Sequence, residues 1–153
     1  MKHTVLLFFL LLGLALAACG GDAAAETQDD GRLYVVTTIA QIGDSVQRVG
    51  GDHVRVESLM GPGTDPHLYV ATISDVNKLR HADIIFYNGL FLEAQMDSIL
   101  EQLAERQHAV AVSAGIDPAR LLQSADYADE FDPHIWFDVA LWSETSEAVR
   151  RFL

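Results

Sequence analysis

From Leu33 onward, short runs rich in β-branched residues alternate with segments whose apolar residues recur every three or four positions. That alternation predicts a strand–helix–strand repeat, and such repeats close into a parallel sheet with helices on its faces. Leu33 to Ile39 is almost continuously apolar or β-branched, the pattern of a strand buried on both sides. Ile42, Val46 and Val49 follow at helical spacing, and Gly50-Gly51 closes that helix. Val54 to Met60 is a second strand, broken by Gly61-Pro62-Gly63. In the next helix Ser74 is the candidate cap, with Val76 and Leu79 turned inward. Asp83 to Tyr87 is a third strand, ended by Asn88-Gly89. Glu93 to Arg106 reads as a helix with Met96, Ile99, Leu100 and Leu103 on one face, and His108 to Val112 as a fourth strand. The expected fold is therefore α/β: a four-stranded parallel sheet flanked by helices, within residues 32–137. A last helix is expected over 138–153, with Ile135, Val139, Trp142 and Val149 near one face. No Gly, Asn or Pro stops it, so the chain reads as part of a longer one.

The N-terminus reads differently. Residues 1–18 have a short basic start and an apolar run from Val5 to Ala17, shorter than the about 20 apolar residues a membrane span needs. That is the pattern of a secretory signal peptide. The run ends Leu16-Ala17-Ala18-Cys19-Gly20, which resembles the bacterial lipobox, whose cysteine carries lipid at the mature N-terminus. Cys19 is the only cysteine, which excludes an intrachain disulfide. Residues 19–31 hold no large apolar side chain and read as a flexible tether behind that lipidated cysteine. The chain is thus expected to be exported and anchored to a membrane through lipid, facing the periplasm or the extracellular side. With 22 acidic against 10 basic residues, net charge −12, it lacks the basic face that nucleic-acid binding needs.

Chemistry concentrates in two tripeptides, Asp65-Pro66-His67 and Asp132-Pro133-His134. Proline fixes φ near −65° and biases its predecessor towards an extended shape, so each His is held by the backbone. Imidazole is the commonest biological metal ligand, and preorganisation raises its worth. One His follows the second expected strand and the other follows the fourth. In parallel α/β sheets ligands bind outside the carboxyl ends of the strands, and both histidines belong to that edge. They are the candidate metal ligands. The alternative is that both tripeptides are ordinary turns with a solvated His behind them.

Taken in order, Gly61-Pro62-Gly63-Thr64-Asp65-Pro66-His67-Leu68-Tyr69, Ser74-Asp75-Val76, Asn88-Gly89-Leu90 with Leu92-Glu93, and Asp132-Pro133-His134-Ile135-Trp136-Phe137-Asp138 resemble the zinc/manganese substrate-binding lipoproteins of bacterial ABC transporters. The resemblance covers essentially all of the chain after the tether. It implies one of two α/β lobes, with the metal held between lobes by three His, or two His and a Glu, plus an Asp. His67 and His134 match the two ligands from the N-terminal lobe. On this resemblance residues 138–153 begin the inter-lobe helix, and the remaining ligands belong to a C-terminal lobe. It further implies zinc or manganese as the transported ion and an ABC permease as partner. Two departures stand out. Ile73 replaces a frequent proline, and residues 113–131 carry Asp117, Asp126, Asp129 and Glu130 but none of the histidines of a zinc-scavenging loop, which leaves manganese, or mixed specificity, open.

The other polar candidates have plainer readings. His53 and His108 are solvated, and His81 ends a helix where a cation suits the dipole. Asp65 and Asp132 form turns, with a supporting role behind an imidazole, or direct ligation, as the alternatives. Glu93 is a helix-start carboxylate, and Trp136 and Trp142 pack between lobe and helix. The leading function is extracytoplasmic capture of a divalent transition metal for an ABC permease, without catalysis. A surface adhesin is a second reading. A metallohydrolase is a third, though the sequence has neither His-Glu-x-x-His nor Gly-x-Ser-x-Gly.

Overall fold

The computed structural model describes residues 30–106, 109–125 and 129–153. Cys19, the leader expected over residues 1–18 and His108 lie outside these. Residues 31–153 form one compact unit, which carries every element that follows.

Four strands form one parallel sheet in the order β2-β1-β3-β4: β1 Leu33–Ile39, β2 Val54–Met60, β3 Ile84–Tyr87 and β4 Ala109–Ala111. The helices are α1 Ala40–Gly50, α2 Ile73–His81, α3 Asp97–Ala104 and α4 Val139–Phe152. The chain leaves β1 outward to β2, then crosses back to β3 on β1's other side. The order reverses between β1 and β3, the switch point where sheets of this type open a crevice at their carboxyl edge. From Tyr34 to Ile39 every residue of β1 is buried, as its unbroken apolar run requires of a strand covered on both faces. Ile85 and Phe86 do the same in β3.

Helix α1 lies close to the sheet because Gly43 has no side chain: a Cβ there would stand 2.4 Å from Ser58 Oγ. Gly51 ends that helix at φ +54°, a left-handed conformation glycine adopts without strain. Val149 of α4 joins the main core, while Leu141 forms a smaller cluster with Ile116 and Ile135. Trp142 packs against both clusters, and Trp136 against the main one.

Several local expectations are corrected. Thr72, not Ser74, caps α2: its hydroxyl accepts the Asp75 N–H while the Asp75 side chain accepts the Thr72 N–H, a reciprocal capping box. Val49 is 40% exposed and Val139 83% exposed, so neither belongs to the inward stripe of its helix. Leu141, Thr145 and Val149 form the buried stripe of α4 instead. The expected helix from Glu93 starts as a 3-10 turn over Ala94–Met96 and becomes α-helical only at Asp97.

Asp75 ties this region together. Its Oδ2 accepts the Tyr69 hydroxyl at 2.7 Å and the Thr72 hydroxyl at 2.7 Å, and it is 5% exposed. Burial pushes its carboxyl up, but the Thr72 and Tyr69 hydroxyls, the Thr72 N–H and Lys78 together hold it below the ordinary value. A carboxyl whose folded pKa is depressed adds stability that is full above the unfolded value, about 4, and is lost as pH falls through the folded one. Asp75→Asn should therefore lower urea stability at pH 7 and flatten the decline towards pH 3. Parallel pH curves for variant and wild type would show that Asp75 carries none of the acid sensitivity.

Candidate metal centre

Both Asp-Pro-His tripeptides fold as the same small motif. The Asp65 carboxylate accepts the His67 N–H at 2.9 Å, and the Asp132 carboxylate accepts the His134 N–H at 2.9 Å. Each is a turn in which an aspartate mimics a backbone carbonyl two residues ahead of the N–H it binds. The loops carrying them follow β2 and β4, and parallel strands bring both to one edge of the sheet. There the imidazoles meet: His67 Nε2 and His134 Nε2 are 3.4 Å apart, with ring centres at 5.3 Å and planes tilted by 59°.

That separation is long for an N–H···N hydrogen bond. It suits a shared ion. Two nitrogens about 2.0–2.1 Å from one tetrahedral zinc stand about 3.3–3.4 Å from each other, and the same construction carried to the ring centres gives about 5 Å. Asp132 does more than form its turn. Its Oδ1 lies 2.6 Å from His134 Nδ1, which assigns the proton to Nδ1 and leaves the Nε2 lone pair facing His67. The His134 N–H, opposed by burial and aided by the His134 ring, holds the Asp132 carboxyl below its ordinary value, so it stays an acceptor at neutral pH. The Trp136 ring meets the His134 ring edge to face at 5.2 Å and limits its rotation.

The pair borders a cavity of about 440 Å³ lined by Leu68, Leu90, Phe91, Glu130 and Phe131 among others. Among the described residues no group of three or more His, Cys, Asp or Glu converges on one point, so the arrangement offers two nitrogens. His81 Nδ1 is 2.7 Å from the Asn77 carbonyl at the end of α2, and His53 sits exposed in the 3-10 turn after α1; neither lines the cavity at the pair.

Glu93 is not the helix-start carboxylate expected of it. It is 2% exposed, makes no cap for the turn that follows, and folds back onto β1 and the Asn88-Gly89 turn. Sequence reading also missed the consecutive positive φ angles of Leu90 and Phe91. The available signal was a single acid between Leu92 and Ala94, four residues past an Asn-Gly turn.

A parallel α/β lobe with two oriented imidazoles at its carboxyl edge defines a candidate cation-binding module, and comparison with known proteins gives its family. The pattern of the family described as zinc-uptake complex component A, periplasmic (ZnuA), matches residues 35–153. The chain belongs to that family. It is 46% identical over 145 residues to the zinc-binding protein TroA of Treponema pallidum, covering 95% of this chain and 45% of that one. It is 40% identical over 142 residues to the manganese-binding lipoprotein MntA of Bacillus subtilis, covering 93% and 46%. Against the solved structure of the periplasmic zinc-binding protein TroA the TM-score is 0.72 at 47% identity, over 78% of this chain and 42% of that one. The chain thus spans less than half the length of the curated relatives it matches.

Proposed function

We propose that this chain captures a divalent transition metal, zinc or manganese, outside the cytoplasmic membrane for delivery to an ABC permease. His67 and His134 are its two nitrogen ligands. The observation that carries the reading is the Nε2–Nε2 separation of 3.4 Å together with the Asp132 contact that fixes the His134 tautomer. The names of the relatives, zinc-binding for one and manganese-binding for another, support the cargo. Two imidazoles fill half of a tetrahedral shell. Water, or donors beyond the described residues, fill the rest, and residues 138–153 belong to the helix that would lead towards a second lobe. The module binds and releases without turnover.

Calorimetric titration of the chain with zinc and with manganese tests this. Saturable binding that weakens in acid is expected, because a protonated imidazole cannot ligate. An absence of binding at neutral pH would reject the reading. Cys19 is the proposed lipid anchor. Each buried CH₂ contributes about 0.8 kcal/mol to membrane attachment, so two or more acyl chains hold a protein firmly. Cys19→Ala should move the protein from the membrane to the soluble fraction, and intact mass showing a free Cys19 thiol in the mature wild type would reject the anchor.

A further inference from the structure

Just beyond the Asn88-Gly89 turn, the chain folds a carboxylate back onto its own backbone at the switch point of the sheet. Glu93 Oε1 accepts the Thr38 hydroxyl at 2.6 Å and the Asn88 N–H at 2.8 Å, and Oε2 accepts the Gly89 N–H at 3.2 Å. Thr38 lies in β1 and Asn88 directly follows β3, so one buried side chain ties together the ends of the two central strands. The turn it closes is strained. Gly89, Leu90 and Phe91 have φ of +77°, +54° and +63° in succession. For leucine and phenylalanine that region is strained, and it persists only where surrounding bonds over-determine it.

Asn88 passes this rigidity on. It is fully buried, and its Nδ2 donates to the Gly89 carbonyl at 2.9 Å and to the Pro133 carbonyl at 3.0 Å. Both partners are acceptors, so the amide has one workable orientation. Asn88 Oδ1 is buried and has no hydrogen-bond partner among the described residues. Pro133 immediately precedes His134. The His67 loop has a separate anchor, the Tyr69 hydroxyl on Asp75.

We propose that Glu93 and Asn88 are positioning residues for His134: the buried carboxylate fixes the strained turn, and the Asn88 amide grips the Pro133 carbonyl so that the His134 ring meets His67 at metal-binding separation. Asp132 sets the proton on that ring; Asn88 and Glu93 set where the ring stands. The proposal rests on the metal reading above.

The test uses Asn88→Asp, which removes the amide donors at nearly constant size, Asn88→Ser, which removes them with a smaller side chain, and Glu93→Gln, which keeps the shape and replaces one acceptor oxygen by an N–H donor. Leu100→Ala is the control, since Leu100 is buried in α3 and supports only packing. The readouts are zinc affinity by calorimetry and the imidazole ¹⁵N signals of His67 and His134 in the metal-free chain. Losing a partner behind a metal-binding His lowers affinity about 10- to 100-fold. That loss is expected for Glu93→Gln and at least one Asn88 variant, with the His134 signals displaced and those of His67 unmoved. Leu100→Ala should lower thermal stability while leaving affinity and both rings unchanged. If the Asn88 and Glu93 variants behave like Leu100→Ala, or if both rings move equally, the proposal is overturned. If the wild type takes up no zinc, the metal reading fails, and the ring signals alone decide whether Asn88 and Glu93 position His134.

Discussion

Alanine at His67 or at His134 should each abolish most of the zinc affinity of this chain. The two Nε2 atoms stand at the separation two ligands of one ion require, and no third His, Cys, Asp or Glu converges with them among the described residues. Removing either ring leaves a single imidazole, and a single imidazole on a protein surface holds zinc weakly. The loss should therefore exceed the about 100-fold that a supporting partner costs. The fold should tolerate both changes, since each ring is only half-buried and lies at the edge of the sheet rather than in its core. His53→Ala and His81→Ala serve as controls because both residues lie away from the pair, and His108→Ala is expected to be equally silent. Calorimetry with zinc and manganese across the five variants gives the answer. Unchanged affinity in the His67 and His134 variants would reduce the two tripeptides to turns. A loss confined to His53 or His81 would move the site elsewhere.

The sheet was legible because a strand buried on both faces leaves a dense signature. Leu33–Ile39 and Val54–Met60 appear at their expected bounds, the first as an apolar, β-branched run buried from Tyr34 onward, the second as a half-buried edge strand closed by Gly61. The pairing of the two histidines was legible too, because parallel topology sends both loops to one edge whatever their separation in sequence. Helix starts were not. Thr72 and Ser74 are both good capping residues in isolation, and Thr72 is the cap because Asp75 stands three residues beyond it and returns the bond. The outward turn of Val49 and Val139 escaped detection because periodicity tells which residues share a face but not how wide the covered part of that face is. Glu93 was misread for a different reason. A carboxylate near a helix start is ordinarily solvated there, and only the tertiary approach of Thr38 and the folded-back turn makes a buried acceptor of it. Its burial pushes the carboxyl up against the pull of those same donors. Sequence alone carries no trace of that balance.

Phe86→Ala should produce the largest loss of stability in the fold, about 3–5 kcal/mol. Phe86 is fully buried in β3, with β1 on one side, where its register partner is Thr37, and β4 on the other, where it is Val110. Its ring has no exposure to solvent, so alanine leaves a cavity inside the core. A domain of this size is stable by about 5–15 kcal/mol, so the variant stands near the limit of folding. Zinc should offset part of the loss. A ligand that binds only the folded state at 100 times its Kd adds about 2.7 kcal/mol, and it adds the same to variant and wild type if the site is intact in both. Urea unfolding with and without zinc separates the two effects. A loss below about 1 kcal/mol would show that the sheet closes over the missing ring. A normal loss with no gain from zinc, against a clear gain in the wild type, would show that Phe86 also holds the Asn88-Gly89 turn two residues on, and through it the placement of His134.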